Sequence, residues 1–174
     1  MTCKPPHGDY TQSMSATESK IESKSASHKD ASPQAQLEVI VTSFGYKQGP
    51  PPLANVVWDV RFLKNPYWVE ELRPLTGLDK PVQDYVLDQP MAQEFLNSIA
   101  DLFQKVLPKV VEHKLDRYII ALGCTGGQHR STTLVETLAK MLKEAFPQYS
   151  ITVKHRELSH LQSTCEQKET DTAS

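Results

Sequence analysis

The segment Gly123-Cys124-Thr125-Gly126-Gly127-Gln128-His129-Arg130-Ser131 gathers two adjacent glycines, two hydroxyls, an imidazole and a guanidinium. It lies between an apolar run that reads as a strand (RYIIAL) and a periodic run that reads as a helix. Glycines there let backbone N–H groups turn toward a ligand with no Cβ in the way. The helix N-terminus adds unpaired donors and a partial positive charge. Arg130 can hold two anionic oxygens with its fork, and Thr125 and Ser131 supply hydroxyls. Every component favours an oxyanion.

Blander readings stand beside this one. Gly126-Gly127 could simply let the strand turn into the helix, although a turn does not need the adjacent His-Arg pair. His129 alone could be a structural or solvent-facing imidazole. Arg61 could pair with Asp59, His155-Arg156 could be a solvated strand end, and Cys124 could be a small buried hydrophobe. A second chemistry also fits. Cys124 and Arg130 are separated by five residues with Ser131 next, a spacing that resembles the C-x5-R-[S/T] loop of cysteine-dependent phosphatases. In that reading the Cys124 thiolate attacks phosphorus and Arg130 holds the oxygens. However, Gly123 stands where those enzymes usually carry His, and Asp59 and Asp79 are only guesses for the general acid. No G-x-x-x-x-G-K-[ST] run and no zinc-like Cys/His spacing occurs, so no P-loop activity, metal or cofactor is expected.

The elements that must position the loop follow from patterning. Leu37–Ser43 and Asn55–Val60 read as strands, with a stiff Gly-Pro-Pro-Pro loop between them. Arg61–Asp79 is a long connection carrying Arg73, Tyr67 and Trp68, and connections of that length are often functional. A short helix starts near Asp79. A longer one starts near Pro90 with Phe95, Ile99, Leu102, Val106 and Val110 on one face, and Pro108 should kink it. Arg117–Leu122 is a third strand and Gly123–Gly127 a tight turn. A helix from about Gln128 to Phe146 places Leu134, Leu138, Met141 and Ala145 on one face, and Ser150–Lys154 is a fourth strand. This order predicts an α/β fold, a small mainly parallel sheet with helices on its faces, in a single domain. In such sheets ligands bind beyond the carboxyl ends of the strands, here Ser43, Arg61, the Gly123–Arg130 turn and His155-Arg156.

Composition sets the limits. Residues 1–36 hold seven Ser, three Thr, four Lys and four Asp or Glu, with almost no large apolar residue, and read as a disordered arm. Residues 163–174 read as a disordered acidic tail, which leaves 37–162 as the folded unit. That unit carries 14 basic and 14 acidic residues, so its overall field would not hold nucleic acid. RNA contact would need a local patch, with Lys47, Lys154 and Arg156 the obvious contributors. Three cysteines, two of them in the tails, argue against a disulfide framework and for a reducing compartment. With no apolar run long enough to span a bilayer and no apolar N-terminal stretch, a cytoplasmic protein is expected.

The runs SFGYKQGPPPLANVVWDVRFLKNPYWVEELRPLTGLDKPV and GCTGGQHRS resemble the C-terminal domain of the RNase adapter protein RapZ family, over about Val39–Leu158. The resemblance implies a non-catalytic regulatory domain that binds an amino-sugar phosphate and, in full-length relatives, helps present RNA to an endoribonuclease. It carries Cys124, Thr125, Gly126, Gly127, His129 and Arg130 into an anion loop, with Arg61 and Arg73 as partners; Gln128, Ser131 and His155 join the candidate site from the loop and strand-end readings above. Expected partners are a phosphorylated small molecule, with RNA, a partner protein or a second copy as further options. Three departures qualify the transfer. The chain has a Ser-rich arm where relatives carry a P-loop domain. It turns acidic after His155-Arg156, where many relatives are basic. Lys64 and Tyr67 stand where relatives commonly show Pro and His.

Overall fold

The computed structural model describes residues 37–158. The arm expected at 1–36 and the tail expected at 163–174 lie outside the described residues. Four strands, β1 (Glu38–Gly45), β2 (Val56–Asp59), β3 (Arg117–Cys124) and β4 (Ser150–His155), pair in the order β2-β3-β1-β4, all parallel. Helices α1 (Lys80–Leu87) and α2 (Pro90–Glu112) connect β2 to β3, and α3 (Arg130–Ala145) connects β3 to β4. Three single-turn 3-10 helices, Tyr46–Gln48, Pro66–Trp68 and Glu70–Leu72, shape the loops.

The helices share one face of the sheet, and topology says why. Both helical crossovers advance in the same direction, from β2 to β3 and from β3 over β1 to β4. Right-handed crossovers running the same way deposit their helices on the same side. That side carries Val39, Val41, Ile120 and Leu122, which form one core with Leu96, Phe103, Leu134 and Leu138. The β1–β2 connection runs the opposite way and brings the turn at Tyr46–Gln48 and the Pro50–Pro52 run past Thr42 and Phe44.

Three strands run past their expected ends, β4 by one residue to His155 and β1 and β3 by two. β3 continues through Gly123 to Cys124 because β1 continues beside it, pairing Phe44 with Gly123 and Gly45 with Cys124. The turn therefore begins at Thr125, not at Gly123. Helix α2 runs through Pro108 to Glu112, so that proline does not end it. Ile99 and Val110 face inward as expected and Phe95 and Val106 pack at the margin of the core, while Leu102 gives way to its neighbour Phe103. Leu96, Ile99, Phe103, Leu107 and Val110 are buried, whereas Leu102 is 45% exposed. Two apolar stripes compete on this helix, and Phe103 wins its place by packing edge-on against Trp58 of β2 and Tyr118 of β3. In α3, Leu134 and Leu138 are buried as expected, and Leu142 takes the place read for Met141 and Ala145.

The place taken by Phe103 gives a direct test. Phe103→Ala should cost about 3–5 kcal/mol in urea unfolding, while Leu102→Ala should stay within about 1 kcal/mol of wild type. Comparable losses would contradict the packing.

Candidate functional site

The carboxyl ends of β1, β2 and β3 open onto a cleft of about 570 Å³ lined by Lys47, Arg61, Leu63, Asn65, Tyr67, Trp68, Thr125, Gly126, Gln128, His129 and Arg130. One wall is the turn between β3 and α3, and the other is the Arg61–Trp68 segment that follows β2. At Gly126 a Cβ would meet nothing within 4 Å, so that residue faces open space. Gly127 has φ of +77°, a conformation that favours glycine. Its N–H donates to Cys124 Sγ at 3.2 Å. Among the described residues no hydrogen bond takes up the N–H groups of Gly126 and Gln128. Those donors, with the first turn of the 16-residue α3, provide the anion-favouring end of a helix dipole.

Arg130 occupies the floor. It is 4% exposed and makes no ion pair among the described residues. Its Nη1 donates to the carbonyls of Arg61 at 3.2 Å and Leu63 at 2.9 Å, and Nη2 to Thr125 Oγ1 at 3.2 Å. Its Nε is buried without a partner. Burial pulls the guanidinium pKa below its ordinary value, against the opposing influence of Cys124 and Asp59. So the expected free clamp is also a strut, tying both cleft walls together. His129 is likewise buried, with Nε2 unpartnered. Burial lowers its pKa, opposed by the backbone of Leu75, Arg73 and Leu72 and assisted by Arg130.

The remaining expected residues fall into place unevenly. Arg61 lines the cleft but pairs with Asp59 at 2.6 Å and lies 4.3 Å over the Tyr46 ring. Hydrogen bonds from Arg61 hold the Asp59 carboxyl below its usual range, which unsuits it as a general acid. Asp79 instead accepts from the N–H and hydroxyl of Thr76. Arg73 stays outside the cleft, where it donates to the Tyr67 carbonyl at 3.1 Å and packs on that ring. Cys124 and Ser131 lie behind the loop. Cys124 is 2% exposed, its sulfur accepts from Ser131 Oγ at 3.1 Å, and no carboxylate lines the cleft. The phosphatase alternative therefore finds no support, and Cys124 is buried with its sulfur accepting from the Gly127 N–H and from Ser131 Oγ.

His155 is corrected outright. Its register opposite Ser43 turns it toward the helical face, where Nδ1 meets Ser43 Oγ and Nε2 meets Glu136 Oε1, each at 2.8 Å. It does not reach the cleft. The three cations named for RNA contact also separate. Lys47 lines the cleft, whereas Lys154 and Arg156 border a different hollow beside Thr42 and Pro52. Lys47, Tyr67 and Trp68 are cleft residues that the anion-site reading left out. The strand-end rule would have reached Lys47 had β1 been read to Gly45. Among the described residues, no group of three or more His, Cys, Asp and Glu could hold a metal, and no helix is long and apolar enough to cross a membrane.

Comparison with known proteins agrees with the geometry. Residues 37–159 match the family model described as the RapZ C-terminal domain. Similar proteins include one from Staphylococcus epidermidis, 48% identical over 71% of this chain and 40% of its own length. Another from Shewanella halifaxensis is 45% identical over 72% of this chain and 43% of its own, and one from Moorella thermoacetica 44% identical over 76% and 44%. Each of the three is named a nucleotide-binding protein. The chain thus spans less than half the length of the curated relatives it matches.

His129 ties the site to pH. Its folded pKa lies below the ordinary imidazole value of about 6.5, so the unfolded chain binds the extra proton first. Its contribution to stability is complete above that value and is lost as pH falls below it. Unfolding free energy should decline between pH 7 and 5.5, and less steeply in His129→Gln. Equal slopes in the two proteins would show that the imidazole is not held neutral.

Proposed function

The chain belongs to the RapZ C-terminal domain family, and from that premise we propose that it is a cytoplasmic regulatory domain that binds a phosphorylated small metabolite, of amino-sugar phosphate type, in the cleft at Gly123–Ser131. The observation that carries the reading is the buried, unpaired guanidinium of Arg130. Leaving such a charge uncompensated costs several kcal/mol, and an anion at the loop relieves that cost. The unengaged N–H groups of Gly126 and Gln128 would cradle the phosphoryl oxygens, Lys47 would add charge from the strap beside Thr125, and Arg61 would add it from the opposite wall. Tyr67 and the 77% exposed Trp68 offer an apolar face to the rest of the ligand, which suits a sugar ring.

The same contacts suggest how binding is transmitted. Arg130 already holds the Arg61 and Leu63 carbonyls. An anion that draws the guanidinium toward the loop must shift those bonds, and with them the Arg61–Trp68 wall. Ligand occupancy is thereby converted into the position of an exposed aromatic segment, as a sensor requires. The chain carries no P-loop motif, so no nucleotide hydrolysis is assigned to it.

Calorimetry with hexose and hexosamine phosphates should show binding that the unphosphorylated sugars lack. Arg130→Ala and Lys47→Ala should each weaken it at least tenfold, about 1.4 kcal/mol. Equal affinity in wild type and Arg130→Ala, or binding by neither, would contradict the proposal.

A further inference from the structure

We propose that Glu157 and Arg156 are positioning residues that fix the anion loop from behind, by clamping Gly45, which with Gly77 is one of two glycines packed against it. The inference builds on the reading of Gly123–Ser131 as a phosphate loop. That loop carries no apolar side chain between Thr125 and Arg130, so its own packing cannot set its shape. Its neighbours must do so.

The nearest neighbour is Gly45 at the end of β1. A Cβ there would stand 2.5 Å from the carbonyl carbon of Gly126 and 2.8 Å from the nitrogen of Gly127. The next residues continue the contact, with the Lys47 N–H donating to the Thr125 carbonyl at 3.0 Å. Gly45 is itself held at both of its polar groups. Its N–H donates to Glu157 Oε1 at 3.0 Å, and its carbonyl accepts from Arg156 Nη2 at 2.8 Å. The two side chains are joined through Arg156 Nε and Glu157 Oε1 at 2.7 Å, and Arg156 Nη1 reaches on to the Pro50 carbonyl at 2.7 Å. Glu157 also touches the loop directly, since a Cβ on Gly127 would lie 2.3 Å from its Cγ.

Glu157 is only 8% exposed. A buried carboxylate is costly, and pairing it with Arg156 offsets that cost without adding much net stability. What the pair supplies here is geometry. It fixes Gly45, Gly45 fixes the Gly126–Gly127 peptide, and the strap at Lys47 places a cation in the cleft. Moving either side chain would change where the loop N–H groups point.

Two variants of the full chain test this. Glu157→Ala removes the acceptor and the contact with Gly127, whereas Glu157→Gln keeps the size and an acceptor but loses the charge. In Glu157→Ala, amide resonances of Gly45, Gly126, Gly127 and Gln128 should shift, and exchange of the Gly45 amide should accelerate at least tenfold. Protection in α2 should be unchanged, and the dissociation constant for inorganic phosphate should rise at least tenfold, with Glu157→Gln intermediate. Loop resonances that coincide with wild type would overturn the clamp, as would a loosened loop with unchanged phosphate affinity. Should Glu157→Ala fail to fold, Glu157→Gln decides by the same measurements. Should wild type itself bind no phosphate, the ligand reading falls, and the loop resonances alone decide the clamp.

Discussion

A guanidinium buried without a carboxylate is the constraint around which this domain is organised. Arg130 sits at the first position of α3, and its donors go to backbone carbonyls of the segment leaving β2 and to a hydroxyl of the turn leaving β3. Carbonyl and hydroxyl dipoles lower the cost of the buried charge but do not cancel it. The charge therefore has two consequences at once. It binds the cleft walls to each other, and it leaves the cleft floor electrostatically incomplete. Both follow from one side chain, which is why the site and its support cannot be separated cleanly into different residues.

The sheet delivers these groups to one place because its crossovers all turn the same way. With α1, α2 and α3 on one face, the ends of β1, β2 and β3 are left to the loops that leave them, among them the long Arg61–Asp79 connection. The loops at Lys47, Arg61–Trp68 and Thr125–His129 are thus forced together. β4 contributes differently. His155 turns toward α3 and spends one ring nitrogen on Glu136 there and the other on Ser43 of β1, while the two residues after it fold back onto the end of β1. The fourth strand supports the site and does not line it.

Much of this was readable from residue order, and what was not has physical causes. Strand and helix identity, the parallel sheet and the loop between β3 and α3 all follow from apolar periodicity and glycine placement. Strand ends did not, because Gly45 and Gly123 have poor intrinsic strand preference and are held extended by their register opposite Cys124 and Phe44. That shortfall hid Lys47. The inward face of α2 was read only in part, because two apolar stripes that share Ile99 and Val110 are equally periodic, and contact with Trp58 and Tyr118 gives Phe103 the place over Leu102. The pairing of Arg61 with Asp59 was one of two readings left open by charge alone. His155 was misplaced because convergence at strand ends says nothing of which face a side chain takes. Nor does any local pattern reveal that Arg130 would be buried, since burial is decided by the distant Arg61–Leu63 backbone.

The account stands most directly on where an anion sits. A crystal structure of the full chain with a hexosamine phosphate should place the phosphoryl group against the N–H groups of Gly126 and Gln128, within hydrogen-bond reach of the Arg130 guanidinium. A phosphoryl group seated instead beside Lys154, with the loop N–H groups left untouched and Arg130 still bound only to carbonyls, would contradict it.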